Sequence, residues 1–570
     1  MPARATLLAG LVLAAALGIR FHALFGEDLS QVALVAERGG YQAHPNGLPA
    51  ADLRFVIWLV ARNARTLLTQ PGQLMAAELC HPAESALALG EPGVTLGLLG
   101  APAWALCGDP LLAFHTALLG SIWLAGFAMF WLVRAWTGSA VAGVAAGLLF
   151  AFHPARIADV IHPYIWDNAW LVFGLFFAER LFANGRWRDA LMLAVCCVLQ
   201  LGGSLYPLAG GLALALPLLV WLLWRHGLKA LRPGPVLLVV VLVGVAAVAL
   251  FTPYLELREA GMLEPRFKRY LAWSQLLPGE AFFPGFLLLL LVAAGLLLRP
   301  RDKAPDPRWA LLVGALLAAY LAAGGTAGEN LLAIARGGSF VVILPNLYAA
   351  LAAVVPGLDV VRAPANLYTA THLALCVLAG FGAAALLRLA PVRYATAAAA
   401  LLLALAALAA LRPPLPGVQP APRLVAVRVA PDPAEVDFYA DLADAGNDGP
   451  IVELPYDPRD MRRTSTAVLL SAYHRRRTAA CWGSRRPDHV AEIQNLAGQL
   501  PKAAGVEGLA EMGFTTVVRR QPVGLPRAAW WHPRQVEALS DGTLRRLAAS
   551  GELRAYRIAD GAEPRVPASN

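Results

Sequence analysis

Charged side chains are scarce in this chain, at 15% of its 570 residues, against roughly a quarter in an ordinary soluble domain. Hydrophobic residues reach 58%, more apolar surface than a soluble fold could hide. Long runs without any charge recur over the first 412 positions. Burying a charge in a bilayer core costs about 2.5 kcal/mol or more, so lipid is the natural solvent for these runs. Lysine is scarcer still, occurring only at Lys229, Lys268, Lys303 and Lys502. The basic residues are therefore nearly all arginine, a usage without mechanistic content. The six cysteines are scattered, at Cys80, Cys107, Cys196, Cys197, Cys376 and Cys481. They show no zinc spacing, and no disulfide framework is expected. Also missing are a P-loop, a dinucleotide fingerprint, a zinc-protease helix and a serine-nucleophile elbow.

The net charge of +9 does not point to nucleic acid, because the basic residues form short clusters between apolar runs instead of one stripe. The first run, 1–25, lacks a small-x-small cleavage site and reads as an uncleaved first span. Apolar runs lie near 5–25, 111–133, 139–153, 168–183, 189–205, 209–224, 234–253, 283–298, 309–324, 366–387 and 394–412. The shorter pieces 93–107 and 340–356 are broken by Gly and Pro and read as interfacial or re-entrant. The expected fold class is thus mainly α, a polytopic bundle of about eleven transmembrane helices followed by a small α/β soluble domain.

Orientation follows from the arginines. With the N-terminus cytoplasmic, the inner loops hold Arg134, then Arg180, Arg186 and Arg188, then Arg225, Lys229 and Arg232, then Arg299 to Arg308, then Arg388 and Arg393. The outer face receives the long first loop 26–110, the region around 153–166, the loops 254–282 and 325–365, and the tail. Such a first loop far exceeds the usual connection length and marks a binding or catalytic element. Within it, 51–70 reads as an amphipathic helix lying in the headgroup plane. Residues 413–433 read as a stiff Pro-rich linker and 434–570 as the outer α/β domain, with helices over 434–443 and 536–549 and strands over 450–454 and 515–518.

Several residues could carry chemistry. Glu27 and Asp28 follow the first span at the outer face, where a carboxylate can serve as general base or merely flank a helix end. His153, Arg156, Asp159 and His162 recur every three residues, so imidazoles and a guanidinium could hold a phosphate or anchor in headgroups. Glu78, His81, Glu84 and Glu91 lie later in the first loop. Arg258, Arg266, Lys268 and Arg269 form an outer basic cluster, and Arg362 could reach a phosphate.

The layout resembles the GT-C superfamily of membrane glycosyltransferases. It combines a first span ending in carboxylates, a long outer loop, the segment Glu91-Pro-Gly-Val-Thr-Leu-Gly-Leu-Leu, and the hairpin-like string from Arg134 to Pro154. Leu358-Asp-Val-Val-Arg-Ala-Pro-Ala-Asn, Ile451-Val-Glu-Leu-Pro and Ser471-Ala-Tyr-His look like later landmarks of bacterial YfhO-like relatives. The resemblance implies transfer of a sugar from a polyprenyl-phosphate donor in a bacterial inner membrane, with Asp28 or Glu27 as the catalytic carboxylate. His153, Arg156, His162 and Arg362 would then bind the donor phosphate. It leaves metal dependence open and admits a divalent metal as cofactor. A transporter or flippase, which would need polar mid-span residues, and a non-catalytic scaffold are the rival readings.

Overall fold

The computed structural model describes residues 3–37, 44, 47–259, 268–298, 306–324, 345–355, 358–359, 361–411, 422–444, 449–483, 486–520, 544–550 and 553–558. Each of the expected apolar runs is a helix. The first part of the chain comprises α1 (Ala3–Arg20), β1 (Val32–Glu37), α2 (Leu48–Thr69), α3 (Val94–Cys107), α4 (Pro110–Thr137), α5 (Ala140–Ala151) and α6 (Pro154–Ala158). There follow α7 (Ala169–Asn184), α8 (Trp187–Gly203), α9 (Leu205–His226), α10 (Pro233–Glu259), α11 (Phe286–Leu297), α12 (Pro307–Ala323), α13 (Leu347–Val354), α14 (Tyr368–Leu389) and α15 (Ala395–Leu411). The tail adds β2 (Arg423–Arg428), α16 (Pro433–Asp444), β3 (Ile451–Leu454), α17 (Met461–His474), α18 (His489–Gln499), α19 (Ala503–Glu511), β4 (Thr516–Arg520), β5 (Leu544–Ser550) and β6 (Leu553–Ile558).

Seven helical stretches among the described residues are long and apolar enough to cross a membrane by length and composition. They are Ala3–Arg20, Pro110–Thr137, Ala140–Ala158, Leu205–His226, Pro233–Glu259, Pro364–Leu389 and Val392–Leu411. Local chemistry sets the tight hairpin from α4 to α5. Asp109 accepts from Leu112 N at 2.8 Å to cap α4, Gly138 closes it at φ +75°, and Ser139 accepts from Ala142 N at 3.2 Å to start α5. Leu237, Val240, Val241, Val245 and Val248 of α10 stay exposed, as expected of a face that meets lipid. Helices α11 and α14 touch backbone to backbone, because a Cβ on Gly382 would collide with the Leu291 carbonyl.

The tail is woven into the first loop. β1 pairs antiparallel with β2, Val32 opposite Arg428 through Glu37 opposite Arg423, so part of the stretch expected as linker is a strand. Cys80 and Cys481 form a disulfide across a sequence separation of 401. This corrects the expectation of no disulfide framework, which rested on short spacings and could not register so distant a pair. Beside it, Cys80 N donates to Ala480 O (3.0 Å), His81 N to Thr478 O (3.0 Å) and Thr478 N to Glu78 O (2.7 Å). The strand pair and the disulfide thus tie the first loop to the tail. The tail sheet has the order β3-β4-β6-β5, with β3 parallel to β4 and the other pairs antiparallel. Residues 544–550, expected to end a helix, form its edge strand β5. Pairing with β6 overrides their helical pattern.

The first-loop helix α2 does not float in the headgroups with a wet polar face. It is packed between α3 and α4 on one side and α17 on the other. Even Arg54 and Arg62 are buried. Arg62 donates through its terminal nitrogens to Gln73 O at 2.8 Å, to Leu74 O and Ala76 O, and to Asn63 Oδ1 at 2.9 Å, which is how a buried guanidinium is tolerated.

Candidate functional site

The predicted site residues differ in their surroundings. Glu27 and Asp28 stand exposed on the turn after α1. Asp28 accepts hydrogen bonds from Ser30 N (3.0 Å) and Ser30 Oγ (2.7 Å). These bonds favour the ionised form and hold its carboxyl below the ordinary value.

His153 and Arg156 turn inward. Pro154 opens the short α6 and Pro163 opens a 3₁₀ turn, Pro163–Trp166, so the every-third-residue pattern never runs along one helix. His153 caps α6, its Nδ1 accepting from Ala155 N at 3.2 Å, and its ring lies 4.1 Å from that of His372. Arg156 is 3% exposed. It donates to Asn168 Oδ1 at 2.9 Å and lies over the rings of Phe150 (5.1 Å) and Trp166 (5.5 Å). Burial pushes the adjacent Asp167 up to about 6, although the Thr95 hydroxyl bonded to it and the Arg156 charge both pull it down.

His162 meets a carboxylate that sequence reasoning missed, and the charge of Arg362 acts on that same carboxylate. Asp52, in the second turn of α2, places Oδ2 3.7 Å from His162 Nε2, and the other imidazole nitrogen lies 3.8 Å from Asp159 Oδ1. Trp482 of the tail hydrogen-bonds the Asp52 carboxylate, and the Arg362 charge acts on it. Burial nonetheless raises Asp52 above its ordinary value, the largest influence on it, against the pulls of His162, Trp482 and Arg362. The carboxylate side chain keeps 32% exposure and the imidazole 22%, and Arg362 is exposed, so all three are open to a ligand. In sequence Asp52 is an ordinary acid near a helix start; only the approach of residues 162, 362 and 482 distinguishes it.

The outer basic cluster holds the Arg362 segment in place. Lys268 Nζ donates to Asp359 O and, at 2.9 Å, to Val361 O. Arg269 N donates to Arg362 O (2.9 Å), Ala365 N donates to Arg269 O (3.1 Å), and Arg258 pairs with Asp359 at 3.3 Å. Arg266 lies outside the described residues. Glu91 is half-buried and braces the neighbouring helix, accepting from Leu205 N at 2.8 Å, and desolvation pushes it up to about 6. Glu78, His81 and Glu84 belong to the seam between first loop and tail. Among the described residues, no group of three or more His, Cys, Asp and Glu side chains is placed to hold a metal ion.

No family model matches the chain, and no curated protein matches it. Solved structures do. The arabinofuranosyltransferase AftD from Mycobacteria aligns over 99% of this chain at TM-score 0.51 and 16% identity, and a mutant of AftD does so at 0.51 and 17%. ArnT from Cupriavidus metallidurans in the apo state aligns over 97% of this chain and 98% of its own at 15% identity, but with a TM-score of 0.40. The chain spans 40% of the length of the AftD structure. Its multi-pass membrane architecture thus shares the fold of the matching part of the AftD structure.

Proposed function

We propose that this protein is an inverting membrane glycosyltransferase that moves a sugar from a polyprenyl-phosphate donor to an acceptor at the outer face of a bacterial inner membrane. The observation that carries this reading is the accessible carboxylate of Asp52, 3.7 Å from the His162 imidazole and under the influence of the Arg362 charge. In the reaction an acceptor oxygen attacks the anomeric carbon and the bond from that carbon to the phosphate oxygen breaks. The acceptor proton passes to Asp52, and polyprenyl phosphate leaves with its charge met by Arg362 and His162. Asp28 and Glu27, which the resemblance favours, remain the comparison set for the base. The strings at 358–366 and 451–455 support a place near the YfhO-like relatives.

The test is to supply the purified chain in lipid with a panel of polyprenyl-phosphate sugars and follow release of polyprenyl phosphate. Release from none of them overturns the proposal. Arg362→Ala removes one charge-assisted contact and is expected to raise the donor KM about tenfold or more. An unchanged KM would return Arg362 to a scaffold role.

Sidedness belongs to the same reading. The Cys80–Cys481 disulfide suits an oxidising compartment, and the arginine-rich connections fall at the opposite helix ends. A compartment-sensitive reporter fused after Asn570 is therefore expected to report the periplasm. Activity confined to the cytoplasm would invert the topology.

A further inference from the structure

A cavity of about 750 Å³ opens where the first loop meets the tail, away from Asp52. Its wall carries Arg62, Arg65, Arg475 and Arg477 against Glu78 and Glu84, so positive charge is in excess. Much of that charge is already engaged. Arg65 is bonded to Glu78, Arg62 Nε lies 3.8 Å from the same carboxylate, and Arg477 donates to Pro82 O (3.3 Å) and Ala83 O (3.1 Å).

Arg475 is different. It is exposed, lies 5.8 Å above the Trp104 ring, and among the described residues has no carboxylate partner. Its backbone adopts φ +61° at the end of α17, a left-handed position where glycine is the ordinary choice and a Cβ is disfavoured. A side chain kept there against backbone preference suggests a use for its guanidinium. The neighbouring charges already feel it. Burial first, then Arg475 and Arg62, bring Arg65 down to about 10.

The remaining wall narrows the class of occupant. Among the described residues it contains no aliphatic side chain larger than alanine, which does not suit a lipid tail, and Thr66, Thr69, Gln70 and Gln73 contribute to it. Such side chains both donate and accept, as ring hydroxyls require. The volume falls within the ordinary range of ligand sites, about 300–1,000 Å³.

We infer that this cavity binds an anionic saccharide, its acidic group docked on Arg475 and its hydroxyls on the Thr and Gln groups. The inference does not depend on the transferase reading, because binding here transfers no sugar. The test uses the full chain in detergent micelles, titrated calorimetrically with trigalacturonate, maltotriose and triglutamate. Trigalacturonate is expected to bind at least tenfold more tightly than the other two. Arg475→Gly removes the guanidinium while suiting the left-handed backbone, so the fold is retained and trigalacturonate affinity should fall at least tenfold. Equal binding of maltotriose would overturn charge recognition, and equal binding of triglutamate would overturn the saccharide assignment. Unchanged trigalacturonate affinity in Arg475→Gly, or no trigalacturonate binding at all, would overturn the site itself.

Discussion

Asp52→Asn is expected to lower sugar-transfer turnover by about 10²- to 10⁴-fold while leaving donor binding in place. The change keeps the shape of the side chain and its contact with Trp482, and removes only the capacity to take a proton. The fold should survive, because a neutral amide avoids the burial that already raises this carboxyl. The pH dependence follows from the same shift. Asp52 works ionised, and burial favours its neutral form, so the ionised fraction falls away at a higher pH than for an exposed aspartate. The acid limb of the turnover profile should therefore lie above the ordinary value of about 3.9. Asp28→Asn is the comparison. Its carboxylate is exposed and stabilised as the anion by Ser30, a poorer proton acceptor, and the variant should retain most turnover. Loss in the Asp28 variant alone would move the base to the turn after the first span. Full turnover in the double variant would remove the carboxylate mechanism and favour a scaffold.

Arg156→Ala is expected to cost about 3–5 kcal/mol of stability, the range for breaking a buried charged arrangement by removing one partner. The guanidinium is stacked on Phe150 and Trp166, bonded to Asn168, and within electrostatic range of Asp167. Without it Asp167 loses a favourable neighbour and rises beyond about 6. An acid whose folded value lies above its unfolded value loses stability as pH rises between the two, and in the variant that loss continues to higher pH. The deficit relative to the unsubstituted protein should therefore widen from pH 5 to pH 8, which thermal unfolding in micelles at several pH values would show. A variant of unchanged stability with tenfold weaker donor binding would instead make Arg156 a phosphate ligand.

The apolar runs were readable because a lipid-facing helix must be apolar along its length, whatever its neighbours. The order of spans and the side on which arginine collects come from that one-dimensional pattern, and α10, with one face exposed along most of its length, is the clearest case. The short tail strands β3 and β4 and the helix α16 were legible for a similar reason, since local periodicity and turn residues announce them. The strand at 544–550 was not, because an edge strand of mixed Leu, Arg and Ala carries a pattern a helix could equally use.

The grouping of polar residues was decided only in three dimensions. Sequence spacing placed His153, Arg156 and His162 together, and two prolines separate them. His162 instead pairs with Asp52 of α2, whose carboxylate Trp482 of the tail hydrogen-bonds and the Arg362 charge influences. Composition and hydropathy bear on each residue's solvent, which is a local property, and that was enough for a multi-pass α bundle. Which carboxylate is half-sheltered, which arginine is spent on carbonyls and which stays open depend on partners hundreds of positions away. Proline breaks, the β1–β2 ladder and the Cys80–Cys481 bond bring those partners together, and none of them leaves a signature in the spacing of the residues they unite.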